Sequence, residues 1–590
     1  MSQIGRLFDI PYYQLQKNPL EKAFSTKYNG AWKSTSIQEY IEQANFVSKA
    51  LITMGVKKGD KIALITSTNR TEWNIMDIGI LQTGAVTVPI YPTISEQDYE
   101  YIIKHSESIY VFVSDKGILE KLDKVKFNIP KLRGIYSFDE IPGCANWQQV
   151  ITAGKEARNE VDLENAKAAV TPNDLASIIY TSGTTGTPKG VLLTHINIIS
   201  NVLGAEERVP FERGKYTGLS FLPCCHIFER MILYLYQYMS VSIYFAESIE
   251  KISDNLQEVK PQVMTVVPRV LEKVFDKIYA KGSELTGVKK ALFFWALRLA
   301  EDFKPYGVNG GLYNFKLKIA RKLIFSKWQA ALGGNLELLV SGSAPLSPRL
   351  ARIFGGADIP VMEGYGLTET SPVIAVNDQR NNGWKIGSVG RILSNVTVKI
   401  AEDGEILCQA PSVAQGYYKD EEKTNEAFIN GWFHTGDIGI VDSDGFLFIT
   451  DRKKEMFKTS GGKYVAPQMI ENAMKQSRFI EQIMVVGEGQ KMPAALIQPN
   501  FDFIKEWANR NKVTVGFTLQ EVVNNELVKQ RIQKELDRIN PQFGKWEQVK
   551  KFELTPNVWS IETGELTPTL KLKRKVILEK YKNLYEKMYS

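Results

Sequence analysis

Apolar and polar positions change period repeatedly along the first 170 residues. Ser36-Ile37-Gln38-Glu39 has the Ser-x-x-Glu spacing of a capping box and opens an amphipathic stretch that predicts a helix through Leu51. Lys61 to Ile65 predicts a strand, Thr71 opens a helix, and Ala85 to Ile90 predicts the next strand. This βαβα rhythm argues for an α/β fold with parallel sheets covered by helices. Leu175 to Tyr180 and Val191 to Leu193 predict two further strands, with Thr194 as N-cap of a helix beginning near His195. The uncharged apolar run from Met231 to Ala246 contains Gln237, Ser240 and Ser242 and falls short of the roughly 20 residues of a membrane span, so it reads as a core helix running into a strand. Glu337–Val340 and Ile359–Met362 predict two strands that each end in a glycine-rich turn. Residues 387–450 are rich in β-branched residues and turns and predict a small β-barrel or meander. The pattern divides the chain into a large N-terminal domain (1–450), a charged linker (451–455) and a small α+β C-terminal domain (456–590).

Between the strands at 175–180 and 191–193, the eleven residues Tyr180 to Gly190 hold five Ser/Thr hydroxyls, three glycines and Lys189. Glycines let backbone N–H groups turn toward an anion, hydroxyls add donors and the lysine adds a point charge, which together make a polyphosphate cradle. The Gly-x4-Gly-Lys spacing of a Walker A loop is absent, and a strand rather than a helix follows. A Ser/Thr/Gly-rich surface hairpin is the plainer alternative. Two further turns, Ser341-Gly342-Ser343-Ala344-Pro345-Leu346 and Glu363-Gly364-Tyr365-Gly366-Leu367-Thr368-Glu369, fall at strand ends, on the sheet edge where ligands bind. There Tyr365 offers a flat face to adenine, Thr368 a hydroxyl to phosphate, and Glu369 a hard oxygen for Mg²⁺. Asp437, in Gly431-Trp432-Phe433-His434-Thr435-Gly436-Asp437, can accept both hydroxyls of a ribose, or can simply close a turn. His226, after Pro223-Cys224-Cys225, is either a core histidine or a group at a reacting end, and both readings stand.

These motifs, in this order, resemble the acyl-adenylate-forming superfamily of AMP-forming acid–thiol ligases, over nearly the whole chain. Pro89-Ile90-Tyr91-Pro92-Thr93 also looks like its counterpart there. Phe228-Glu229-Arg230, Val267 to Lys273 and the run from Gly431 to Lys454 are similar to long-chain fatty acid–CoA ligases, departing at Asn430, where an acidic residue is usual. The resemblance implies ATP, Mg²⁺ and coenzyme A, with a fatty acid as the substrate to be activated. It implies that Thr181, Ser182, Gly183, Thr184, Thr185, Gly186 and Lys189 hold the polyphosphate, and that Gly342, Ser343, Ala344, Gly364, Tyr365, Gly366, Thr368 and Asp437 hold the nucleotide. It places Arg452 beside the ribose, Glu369 on the metal, His226 at the acyl end and Gly461 along the pantetheine arm. Lys571 falls at the catalytic lysine position, with Leu570 where many relatives carry glycine and with Lys573 only two residues away, so the register stays open. A hinge at Lys454 would let the small domain rotate between half-reactions. An adenylating ligase for medium-chain or aryl acids, one with an acceptor other than coenzyme A, an adenylating luciferase-like oxygenase and a nucleotide-binding regulator without turnover are the alternatives. Intact Lys189, Glu369, Asp437 and Lys571 weigh against the regulator.

Composition changes this picture little. The chain is 44% hydrophobic and 24% charged, with a net charge of +7 that permits a polyanionic substrate. No nucleic-acid-reading motif accompanies the charge, so no nucleic-acid partner is expected. Cys144, Cys224, Cys225 and Cys408 are too few for a disulfide framework and fit a reducing cytoplasm, and Met1 to Arg6 lacks the apolar region of a signal peptide. Between Lys281 and Gly334 lies a helical insert in which Lys316, Lys318, Arg321, Lys322 and Lys327 interleave with apolar residues. Such a helix either lies on the anionic inner face of a membrane or packs on its own domain with solvated lysines. Nothing in the pattern sets an oligomeric state.

Overall fold

Two large sheets carry the N-terminal portion of the chain. The first runs in the order Ala145–Asn146, Gly134–Ser137, Ser108–Val113, Lys61–Ile65, Val86–Ile90, Leu175–Ser182, Pro188–Thr194. All pairs are parallel except the last, a hairpin. The second has nine strands, with Val361–Gly366, Leu338–Ser341, Val263–Val266, Thr217–Ser220, Ser242–Phe245 and Phe24–Tyr28 forming its parallel centre. Strands such as Ser108–Val113 are buried along their whole length, as parallel strands covered on both faces must be. This is the computed structural model of the chain, and it describes residues 4–182, 187–210, 212–567 and 571–590.

Local signals place the helices. Ser36 caps Ile37–Thr53, accepting from the Glu39 N–H at 3.1 Å while the Glu39 carboxylate accepts from the Ser36 N–H at 2.8 Å. Thr194 and Asn197 make the equivalent box at the start of His195–Glu206. The run from Met231 to Ala246 is the greater portion of the helix Ile227–Tyr238, followed by the strand Ser242–Phe245. Arg230 on that helix is fully buried and pairs with Asp77 at 2.5 Å, and Tyr234 and Thr87 also donate to Asp77. A buried charge pair needs such a full set of partners to offset its desolvation. The Phe228-Glu229-Arg230 motif is thus a packing device: Glu229, equally buried, accepts from Ser220 and Thr265, both at 2.5 Å.

The described residues divide into two compact units. One comprises Met1–Lys399, Leu407–His434 and Asp442–Leu447, the other Ile400–Ile406, Thr435–Val441 and Phe448–Ser590. A further sheet of five strands is made by Thr397–Ile400, Glu405–Gln409, Trp432–Val441, Phe428–Ile429 and Leu447–Arg452. The second unit builds its own core on a three-stranded sheet, Ile480–Val486, Ala494–Pro499 and Lys551–Leu554, covered by helices. In it Arg574 grips both carboxylate oxygens of the buried Glu471 at 2.7 Å and reaches Glu455 at 3.1 Å.

Candidate active site

The polyphosphate cradle joins two paired strands. Leu175–Ser182 and Pro188–Thr194 are antiparallel, with Thr181 opposite Lys189. Gly183, Thr184, Thr185 and Gly186 lie outside the described residues, and Ser182 is described only as the end of its strand. Beside this hairpin runs the segment Ala414 to Tyr418. Gln415 N–H donates to the Leu192 carbonyl, Leu192 N–H to Gly416, and Tyr418 N–H to Gly190 at 2.7 Å. The same segment is tied to the Thr368–Thr370 turn by Ala414 N–H donating to the Glu369 carbonyl at 2.8 Å.

That double attachment sets Tyr417 between two of the expected site residues. Its hydroxyl donates to Glu369 Oε1 at 2.8 Å, and the Lys189 ammonium lies 5.0 Å from the centre of its ring. Burial, with the Glu369 carboxylate next, pushes the phenol far above its ordinary value, so Tyr417 stays a donor. The sequence pattern does not single out Tyr417. The available signal is the Gly416-Tyr417-Tyr418-Lys419-Asp420 run just before the Asp420-capped helix, and it carries no chemistry on its own.

The two glycine-rich segments are joined as well. Leu338–Ser341 and Val361–Gly366 are parallel neighbours, so both open on the same sheet edge. Ser343 sits at φ +69°. Glu363, buried, accepts from the Leu346 N–H at 2.9 Å and so ties the Gly342-Ser343-Ala344 turn to the strand that carries Tyr365. Burial pushes the Glu363 carboxyl up to about 8. One expectation changes. Glu363 to Gly366 form no turn beyond a strand but continue the strand itself, pairing with Val373–Val376 through an irregularity at Tyr365/Gly366. The reason is steric: a Cβ on Gly366 would lie 1.8 Å from the Pro372 carbonyl oxygen, so only glycine admits the partner backbone. Tyr365, Thr368 and Glu369 are half-buried at this edge.

His226 caps its helix, its Nδ1 accepting from the Phe228 N–H at 3.1 Å, and meets the Tyr91 ring edge-on at 6.4 Å between centroids. In the neutral ring the proton therefore sits on Nε2. Asn69 fixes this turn, accepting from the Cys224 N–H at 3.0 Å and donating to the Leu222 carbonyl at 2.7 Å. Burial pushes the Cys224 and Cys225 thiols up, as for apolar packing residues.

The second unit holds the remaining residues. Asp437 lies on the buried side of Trp432–Val441, its Oδ1 3.2 Å from Arg452 Nε, so the two expected ribose groups are brought together. Gly461 is exposed in the turn between Phe457–Lys458 and Tyr464–Val465. Its neighbour Gly462 has φ +72°, but Gly461 does not, and a Cβ there would meet only Thr459 Oγ1 at 3.9 Å. The fold does not require glycine at 461. Lys571 is exposed, and its N–H donates to Thr567 Oγ1 at 3.0 Å. Lys573 directly precedes the helix Arg574–Lys580, its N–H donating to the Glu565 carbonyl at 2.8 Å.

The arrangement thus offers an ammonium, a carboxylate on a hydroxyl donor and a sheet edge of glycines in one unit. The other offers a carboxylate–guanidinium pair and an exposed lysine. Residues 12–418 match the AMP-binding enzyme family, and residues 455–590 match the AMP-binding enzyme C-terminal domain. The chain belongs to the AMP-binding enzyme family. Among its relatives in this family, long-chain-fatty-acid–CoA ligase FadD15 of Mycobacterium bovis is 35% identical over 568 residues, 95% of this chain and 93% of that protein. Human long-chain-fatty-acid–CoA ligase 6 is 32% identical over 584 residues, 94% of this chain and 82% of that protein. In structure, the A domain of carboxylic acid reductase from Segniliparus rugosus, solved with AMP and a co-purified carboxylic acid, superposes with a TM-score of 0.74 at 20% identity, covering all of this chain and 95% of that one. That likeness establishes a common fold.

Proposed function

We propose that this member of the AMP-binding enzymes is a long-chain fatty acid–CoA ligase. A fatty acid carboxylate attacks the α-phosphorus of ATP, giving acyl-AMP and releasing pyrophosphate. The thiol of coenzyme A, losing its proton, then attacks the acyl carbon and AMP leaves as the thioester forms. The observation that carries the adenylating step is the Lys189–Tyr417–Glu369 cluster beside the cradle. In-line attack gathers negative charge on carboxylate, phosphate and pyrophosphate, and a site for it must supply fixed cations and donors. The long-chain assignment is supported by the two ligases that are at least 32% identical over most of both chains.

The roles follow residue by residue. Thr181 and Lys189, with the intervening loop, grip the β- and γ-phosphates. Tyr365 and the Gly342-Ser343-Ala344 turn hold the base, and Asp437 takes the ribose hydroxyls with Arg452 keeping its carboxylate oriented. Glu369 fits Mg²⁺, an ion that takes one or two protein carboxylates and completes its shell with substrate phosphates and water. When bound, Mg²⁺ neutralises phosphate charge. Tyr417 fixes the carboxylate that receives it. Lys571 serves the adenylating half-reaction and Gly461 the thioester half-reaction. Both belong to one compact unit, which presents them in turn.

Pyrophosphate release dependent on fatty acid, measured with and without coenzyme A across acyl lengths, tests the assignment. AMP and pyrophosphate in both cases, acyl-CoA only with coenzyme A, and preference for long chains are the expected results. Formation of ADP and inorganic phosphate would sink it, and AMP without thioester would remove the coenzyme A half.

A further inference from the structure

One helix braces the cradle hairpin at both of its strands. From the helix Glu96–Ser106, the Tyr101 hydroxyl donates to the Pro188 carbonyl at 3.3 Å, and His105 Nδ1 lies 2.8 Å from the Tyr180 hydroxyl. Pro188 opens the strand that leaves the cradle, and Tyr180 stands one residue before Thr181 on the strand that enters it. A third hold, the Tyr418 N–H donating to the Gly190 carbonyl, comes from the segment that also carries Tyr417. His105 sits among the three tyrosines. Its ring stacks on Tyr101 at 5.2 Å between centroids and meets the Tyr180 and Tyr418 rings edge-on at 5.8 and 5.6 Å. The Tyr180 ring in turn rests on a glycine, since a Cβ at Gly190 would lie 3.2 Å from its Cζ.

The surroundings decide which partner gives the proton. Burial, with the Tyr101 and Tyr418 phenols next, pushes the Tyr180 phenol far above its ordinary value, so its hydroxyl stays a donor. His105 Nδ1 then accepts, which requires the neutral ring with its proton on Nε2. Burial first and the Lys419 ammonium second hold the imidazole below its ordinary 6.5, against the opposing pull of Asp420 and Glu107. Those two carboxylates are themselves paired, Glu107 with Lys419 and Lys131, both at 3.1 Å, and Asp420 with Lys423 at 2.5 Å. With the Tyr101, Tyr180 and Tyr418 phenols they make up the charged and titratable groups that face the ring. A phenylalanine would fill the same gap but would offer no acceptor to the buried Tyr180 hydroxyl.

We propose that His105 is a positioning residue for the polyphosphate: acting through Tyr180, its neutral form holds Thr181 and Lys189 where they grip the β- and γ-phosphates. The proposal rests on the ligase reading of the cradle. The test is calorimetric titration of the full chain with ATP and, separately, with AMP, both with Mg²⁺ and without fatty acid or coenzyme A, between about pH 7.5 and about pH 5. At the higher pH, His105→Phe and Tyr180→Phe should each weaken ATP binding by ~5-fold, and the two together by no more than either alone. AMP, which has no β- or γ-phosphate, should stay within ~2-fold. His105→Asn keeps an acceptor at the place of Nδ1 and has no proton to gain. It should bind ATP like the unsubstituted chain at the higher pH. At the lower pH the imidazole charges, and the unsubstituted chain should then bind ATP at least ~3-fold more weakly than His105→Asn. Equal binding by these two at every pH, ATP binding unmoved by His105→Phe, equal weakening of ATP and AMP, or additive losses in the double variant overturns the proposal. The comparison with His105→Asn stands even where His105→Phe fails to fold. A chain that binds no ATP takes the ligase reading down with it. One that binds ATP and forms AMP and pyrophosphate, with none of these shifts, takes down this proposal alone.

Discussion

Tyr417 and Glu363 each hold two segments of the site together through one polar atom. Removing the Tyr417 hydroxyl leaves the ring under Lys189 but takes the donor from Glu369. A hydrogen bond to a charged group contributes about 1.5–3 kcal/mol, so Tyr417→Phe should raise the Mg²⁺ concentration for half-maximal adenylation by roughly 10-fold. Tyr417→Leu, which also removes the ring face, should raise the KM for ATP as well; a metal titration of pyrophosphate release checks both. Glu363 makes a prediction in pH. Its carboxyl is pushed from an ordinary 4.5 up to about 8 by burial, so the folded chain keeps a proton that the unfolded chain gives up. The stability tied to this proton is fully present below about 4.5 and is lost as pH rises through about 8, a change on the order of a few kcal/mol. Glu363→Gln still accepts from Leu346 but has no proton to lose. The fall in melting temperature between pH 5 and pH 8 should be smaller in this variant than in the unsubstituted chain, and an unchanged slope would show that Glu363 does not titrate there.

At the scale of elements, two glycines that look alike in sequence differ in what demands them. Gly366 is held by packing, with the Pro372 carbonyl oxygen where a Cβ would go. Gly366→Ala must push the paired strands apart and move Tyr365; a loss of at least about 2 kcal/mol in denaturant unfolding, with adenylation reduced in proportion to the displaced base site, is expected. Gly461 meets no such contact, so Gly461→Leu should melt with the unsubstituted chain and still release pyrophosphate while forming thioester at least ~10-fold more slowly, the mark of an approach path being filled. What the sequence makes legible is what neighbouring residues encode. The capping boxes at Ser36 and Thr194, the doubly buried strands and the helix-to-strand run after Met231 all depend on residues within a few positions. What stays hidden depends on distant partners: Tyr417 finds Glu369 across 48 residues, and Arg230 finds Asp77 across 153. The strand from Glu363 to Gly366 reads as a turn because its glycines signal punctuation locally, whereas their use is to admit a partner strand.

For the whole molecule, the question is which lysine near the C-terminus serves the first half-reaction. The backbone around it is asymmetric. Thr567 and Lys571 bond each other through the Thr567 N–H to the Lys571 carbonyl at 2.9 Å, and Leu566 bridges Leu572, so Lys571 stands at the end of a short two-stranded lead that lies away from the helix. Lys573 sits at the end next to the helix. Next to it, Arg574 is pinned by Glu471 and Glu455, which fixes the start of the following helix. A residue that must enter a phosphate site and leave it again belongs at the end away from the helix, outside the Arg574 ion-pair set. Lys571→Ala should therefore lower acyl-AMP formation by about 100-fold or more, the scale of removing a fixed charge from a developing anion, while thioester formation from synthetic acyl-AMP stays within about 2-fold. Lys573→Ala should leave both steps within about 3-fold. If Lys573→Ala instead abolishes adenylation, the register shifts by two residues toward the helix. If Lys571→Ala slows both steps equally, one unit presenting two different faces in turn cannot be the way the reaction is divided.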